Sequence, residues 1–266
     1  MITVDDINAF GNIIDLCREL AGSVTIKVNK DLSYAFCVLY SKTLLTMCEI
    51  RWMLYGGYPE GAMALARNTY ESLIILTYLY DNRDDQQLIE RFLDDYSIKT
   101  CQDHINYLLW YIEHGNDDDS IQSDLSRRQK EWTAWQQKYE DYISKQKTES
   151  FFRQYWWAGK NMSFNKLRKA TSYSASFLYD ISCYRVHAGM TGMICFDNTE
   201  EGLLIGNVEN GKEFPMFFSL LNFTIQTRLF FDIHHIDCES IFIKMDSLLK
   251  TINQYMFELE SANSLD

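Results

Sequence analysis

Pro59 and Pro215 are the only two prolines in 266 residues. Proline ends or kinks helices and punctuates turns, so a chain this poor in it, with long runs lacking glycine, favours long helices over many short strands. Hydrophobic residues make up 47% and aromatics 15%, enough for a sizeable core. At this length one large domain or two small ones are possible. The expected fold is a single all-α domain over 1–266, a multi-helix bundle with a small β-hairpin-like insertion.

Local signals predict where the helices lie. The first runs from Val4 to about Leu20, with Thr3 as N-cap and Asp6 at the capping-box position. The second, Leu32 to Tyr55, stops at Gly56-Gly57, and Pro59 sits where the first turn of a third helix tolerates it. These two form an antiparallel hairpin. A fourth helix spans about Asp85 to Glu113, and a fifth about Ile121 to Lys147. The fifth is polar apart from Trp132, Trp135, Tyr139, Tyr142 and Ile143, so it packs by one edge and could project from the body. Ser163 caps a short helix from Phe164 to Ala170. The stretch 195–213 is the only strand-like one, with Asn210-Gly211 as a turn signal. From Phe214 the chain is helical to about Ser261, broken near His234-His235-Ile236-Asp237, with Asp237 capping the second piece.

Composition narrows the function classes. A net charge of −12 argues against an extended nucleic-acid surface and leaves room only for a small RNA-contacting pocket. The N-terminal MITVDDINAF has no basic segment leading an apolar one, so no signal peptide is expected. No uncharged apolar stretch reaches the length of a membrane span; Met216 to Phe231 carries Asn222, Gln226 and Arg228. The expectation is a cytoplasmic protein with no membrane association. Seven scattered cysteines without a CxxC read as free thiols. No metal and no cofactor is expected: HExxH, paired ExxH, GxxxxGK[ST], GxGxxG and GxSxG are all missing from the sequence, and adjacent His234 and His235 point about 100° apart on a helix.

The best site candidates are charges in apolar helices. From Ala62 to Tyr80 the only charged residues are Arg67 and Glu71. Four residues apart, they share one helical face. Arginine before glutamate is the weaker order for helix support, and a buried pair gains little net stability. The pair still reads either as a structural ion pair or as part of a site, with Asn68 and Tyr70 beside it. His187 ends another mostly uncharged helix and shares a face with Asp180, Cys183 and Tyr184. It reads either as a general acid or base or as a helix-terminal structural residue. The Trp132/Trp135 stripe reads as packing, or else as a surface for a protein partner.

Three segments occur together: GYPEGAMALARNTYESLIILTYL, WWAGKN and LYDISCYRVHAG. In this order they resemble DUF5677, a family of uncharacterised bacterial proteins. The resemblance implies that Arg67, Glu71, Trp157, Gly159, Lys160 and His187 belong to one site. More loosely, an all-α bundle with an Arg and a His is similar to HEPN-type ribonucleases and toxins, although the R-x4–6-H spacing of those proteins does not occur here.

The function expected is therefore a metal-independent RNA-cleaving toxin or phage-defence effector. His187 would be the general acid/base, Arg67 the phosphate clamp and Glu71 its orienter or a base. Lys160, Tyr70, Trp157 and Asn68 would line the substrate. The alternative is a non-catalytic module for a small anionic ligand or a protein partner; a homodimer fits either. The three catalytic candidates would converge within about 8 Å, the reach of one polar network or a bridging water. Removing Arg67 would cost about 2–4 kcal/mol by stranding Glu71.

Overall fold

A computed structural model describes residues 1–24, 31–116, 118–146, 149–173, 198–199, 202–203 and 211–263. Among these lie eight α-helices: α1 Val4–Gly22, α2 Leu32–Tyr55, α3 Pro59–Asp81, α4 Gln86–Glu113, α5 Asp119–Lys138, α6 Phe164–Lys169, α7 Glu213–Ile233 and α8 Glu239–Asn263. Two antiparallel pairs accompany them, β1 Ser144–Gln146 with β2 Glu149–Phe151, and β3 Asn198–Thr199 with β4 Gly202–Leu203. A 3-10 turn covers Trp156–Ala158. The fold is all-α, and among the described residues no helix is long and apolar enough to cross a membrane.

The helix ends follow their local chemistry. The Thr3 hydroxyl accepts from the Asp6 amide at 3.2 Å, and the Asp6 carboxylate accepts from the Thr3 amide at 2.8 Å, closing the capping box of α1. Helix α2 ends in a Schellman turn: Gly57 takes a φ of 74°, and the Tyr58 amide reaches back to the Met53 carbonyl at 2.8 Å. Phe36, near the start of α2, lies 6.5 Å from the Tyr80 ring near the end of α3, so the two helices run antiparallel. Asp85 and Ser163 cap α4 and α6.

The break between α7 and α8 falls at the expected place. His235 adopts a φ of 53°, and the Ile236 amide donates to Phe231 O at 2.9 Å. Asp237 is not the cap, because α8 starts at Glu239 and Cys238 is the residue before it.

The fifth helix differs from its expected span. It ends at Lys138, and Ser144–Gln146 pair antiparallel with Glu149–Phe151 instead. Tyr139 and Tyr142 keep the apolar spacing of the helix, but they turn onto Trp156, with ring centroids 4.9 and 6.2 Å away. Packing on that indole competes with continued helix and wins. So 195–213 is not the only strand-bearing stretch. There the register pairs Thr199 with Gly202, ahead of Asn210-Gly211. The five cysteines among the described residues are free, and Cys17, Cys37 and Cys101 are buried.

The chain divides into two compact units. The first comprises Met1–Val28, Phe36–Asp81 and Thr171–Asp266; the second comprises Asn29–Ala35 and Asn82–Ala170. In the first unit α3 packs most extensively on α7, which also packs on α8, and α8 on α1. A face of small residues permits the α3–α7 approach: Ala62, Ala66 and Thr69 are fully or almost fully buried, with Leu73 next on the same stripe. In the second unit α4 packs on α5 and on the 3-10 turn. Trp132 meets Phe152 edge-on at 5.5 Å, and Trp135 stacks on Tyr139 at 6.3 Å, so the tryptophan stripe contacts aromatics of its own unit.

Candidate functional site

Helix α3 holds Arg67 and Glu71 one turn apart, Nη2 to Oε1 at 3.3 Å. Their side chains are 25% and 29% exposed, so both remain within reach of solvent. Asn68, one residue round the helix, is exposed. Tyr70 is buried, its ring 5.8 Å from Phe218 and 6.4 Å from Tyr173. Burial, with Tyr70 beside it, pushes the Tyr173 hydroxyl up to about 12, so that phenol stays protonated at neutral pH. The apolar helix thus places two charges and one amide at its rim and one phenol inside.

Trp157 and Lys160 belong to the second unit. Trp157 is 2% exposed, meets Phe92 edge-on at 5.0 Å, and its carbonyl accepts from Arg91 Nε at 2.9 Å. Gly159 follows at a φ of 143°, a conformation essentially reserved for glycine, and Lys160 is exposed beyond it. In WWAGK the tryptophans build the core and the glycine supplies the bend that frees the lysine. His187, Asp180, Cys183 and Tyr184 lie outside the described residues. Arg67 and Glu71 are therefore brought together, while the convergence of His187 on them is a placement the described residues do not include.

Two further polar clusters escaped the sequence reading. In the first unit Gln226 is fully buried; its Nε2 donates to Thr69 O at 2.9 Å and its Oε1 accepts from Thr43 Oγ1 at 2.8 Å. One turn earlier, Asn222 Nδ2 donates to Thr69 Oγ1 at 3.2 Å, leaving its buried Oδ1 without a hydrogen bond among the described residues. Asn222 and Gln226 are four apart in an apolar stretch, the same signal that singles out Arg67 and Glu71.

In the second unit Asp94, 1% exposed, accepts from Lys138 Nζ at 2.8 Å and from the Tyr139 hydroxyl at 2.7 Å. Asp95 accepts from Trp156 Nε1 and Lys99 Nζ, both at 2.6 Å. Burial raises the Asp95 carboxyl, and these hydrogen bonds only partly offset that rise. Lys138, Tyr139 and Trp156 are 44 to 61 residues from the carboxylates they reach, and Lys99, four residues on from Asp95, does not stand out in a polar helix. Among the described residues no three His, Cys, Asp or Glu side chains gather as a metal site would require.

The model of DUF5677, a family of unknown function, matches residues 33–202. This chain belongs to that family. The DUF5677 match covers α2 to α6 and includes Arg67, Glu71, Trp157, Lys160 and His187; α7, with Asn222 and Gln226, lies beyond it. No curated protein matches the chain, and no solved structure does.

Proposed function

We propose that this chain cleaves RNA without a metal, as a toxin or phage-defence effector, at a site formed by Arg67, Glu71 and His187. The observation that supports the reading is the Arg67–Glu71 pair: a guanidinium oriented by a carboxylate and about a quarter exposed, in a stretch from Ala62 to Tyr80 with no other charge. A fixed fork of donors suits the non-bridging oxygens of a phosphodiester, where charge grows in the transition state. His187 takes the proton of the ribose 2′-hydroxyl as that oxygen attacks phosphorus. The imidazolium then returns a proton to the departing 5′-oxygen, leaving a 2′,3′-cyclic phosphate. Asn68 adds a polar contact to the RNA, and buried Tyr70 supports the wall beside Arg67. Free thiols fit action in the cytoplasm, where they stay reduced.

A second reading, a non-catalytic module for a small anionic ligand, rests on the same exposure of Arg67, since binding requires no titrating group. A protein partner at Trp132/Trp135 belongs with that reading. The test expresses wild type, His187→Ala and Arg67→Ala, and scores growth and RNA integrity. RNA loss in wild type that both substitutions abolish supports cleavage. RNA loss that survives His187→Ala overturns the mechanism. Intact RNA in wild type, with phosphate binding that Arg67→Ala removes, replaces it by the binding module.

A further inference from the structure

Helix α2 turns an apolar stripe outward. Val38, Leu45 and Trp52 are 50%, 62% and 69% exposed, and they recur at every seventh residue, close to two helical turns. Tyr55 extends the stripe at 56% exposed, its ring edge-on to Trp52 at 6.3 Å. Three large exposed side chains in line with a tyrosine exceed the scattered single apolar residues of an ordinary surface. Between them the smaller Ser41 and half-buried Cys48 complete the heptad positions, and exposed Lys42 and Glu49 flank the stripe. Seven residues separate Lys42 from Glu49, about 10 Å along a helix, so they cannot pair within one chain.

We infer that this stripe is the interface of a two-fold homodimer in which α2 packs antiparallel on α2 of a second copy. The stripe is complementary to itself in that orientation. An axis near its middle sets Leu45 against Cys48, Trp52 against Ser41 and Tyr55 against Val38, a bulky residue opposite a smaller one at each level. The same axis brings Lys42 of each copy within a turn of Glu49 of the other, so both charges gain opposite partners. A parallel arrangement would oppose Lys42 to Lys42 and Glu49 to Glu49. An unrelated partner has no reason to match both the size order and the charge order read backwards along one helix.

Sedimentation velocity on the full chain tests this. Wild type is expected at twice the 31.3 kDa chain mass at micromolar concentration. Lys42→Glu alone and Glu49→Lys alone each place like charges together and should weaken association at least about tenfold, whereas the double exchange should restore it. Trp52→Ser, at a side chain outside the protomer core, should give the single-chain mass with unchanged helical circular dichroism. A wild type that stays monomeric overturns the inference. So does a dimer that Trp52→Ser leaves intact, or one that single and double charge exchanges affect alike.

Discussion

Between α2, α3 and α7 the first unit holds neutral polar groups: Thr43, Gln226, Thr69 and Asn222 bridge three helices with amides and hydroxyls. The second unit joins α4 to the end of α5 and to the 3-10 turn through carboxylates, Asp94 to Lys138 and Asp95 to the Trp156 indole with Lys99 beside it, under a roof of Tyr139, Phe152 and Trp156. The difference follows from spacing. Amides fit where helices approach closely, because they satisfy a backbone carbonyl without bringing a charge out of water. Carboxylates serve where a neighbouring lysine keeps its ammonium partly wet, as Lys138 does at 42% exposed. The first arrangement specifies how helices register, and the second pins a short irregular segment to a helix.

The sharpest way to break this contrast is Trp156→Ala. It removes an indole 1% exposed and one of the two donors to the Asp95 carboxylate, so thermal or urea unfolding should show a loss of about 3–5 kcal/mol. An effect under half of that would mean the turn is held elsewhere. Gln226→Met keeps the volume but leaves the Thr43 hydroxyl and the Thr69 carbonyl without their amide. Urea unfolding should then show a loss of about 2–3 kcal/mol. A neutral result would make the amide ladder decorative.

Alkaline titration sharpens the comparison further. Burial pushes the Cys17 thiol of the first unit from 9.0 up to about 12, and burial with the Asp94 contact pushes the Tyr139 phenol of the second from 10.0 to about 12. Both protonated forms are favoured by the fold, so their stabilisation is intact below the unfolded value and is lost as pH rises towards the folded one. Stability should therefore begin to fall from pH 9 through Cys17, before Tyr139 contributes from pH 10. Between these values and 11, wild type should lose about 1.4 kcal/mol per pH unit more than Cys17→Ala, measured by urea midpoints. Parallel curves would show that the thiol reaches solvent in the fold.

The smallest effect belongs to Arg67→Ala. The sequence alone suggests a stranded, buried Glu71, yet that side chain is 29% exposed and water can take over from the guanidinium. The loss should be about 1 kcal/mol by calorimetry, and a value near 4 would mean that the pair is structural after all.

These cases also show what one dimension reveals. Most caps and stops were legible because their chemistry is local: Thr3 with Asp6, Gly57, Ser163, and the turn at His235. The end of α5 was not, because Tyr139 and Tyr142 keep a helical spacing and only the distant Trp156 redirects them. The Arg67–Glu71 pair was legible from charge in an apolar helix. Applied to amides, the same reasoning would have found Asn222 and Gln226. Asp94 and Asp95 were hidden because α4 is rich in polar residues, and Lys138, Tyr139 and Trp156 reach them from far along the chain.

Thr69 and Asn222 are 153 residues apart, with the Asn82–Ala170 segment of the second unit between them in the chain. At about 5–20 residues per second, a ribosome that has released α3 takes about 8–30 s to deliver α7. For that interval the Ala62–Ala66–Leu73 stripe has no partner helix, which is long compared with the microseconds in which a helix forms. The newborn chain must therefore carry a sticky, finished helix through most of its own synthesis, and its yield in a cell should depend on chaperones that shield such surfaces.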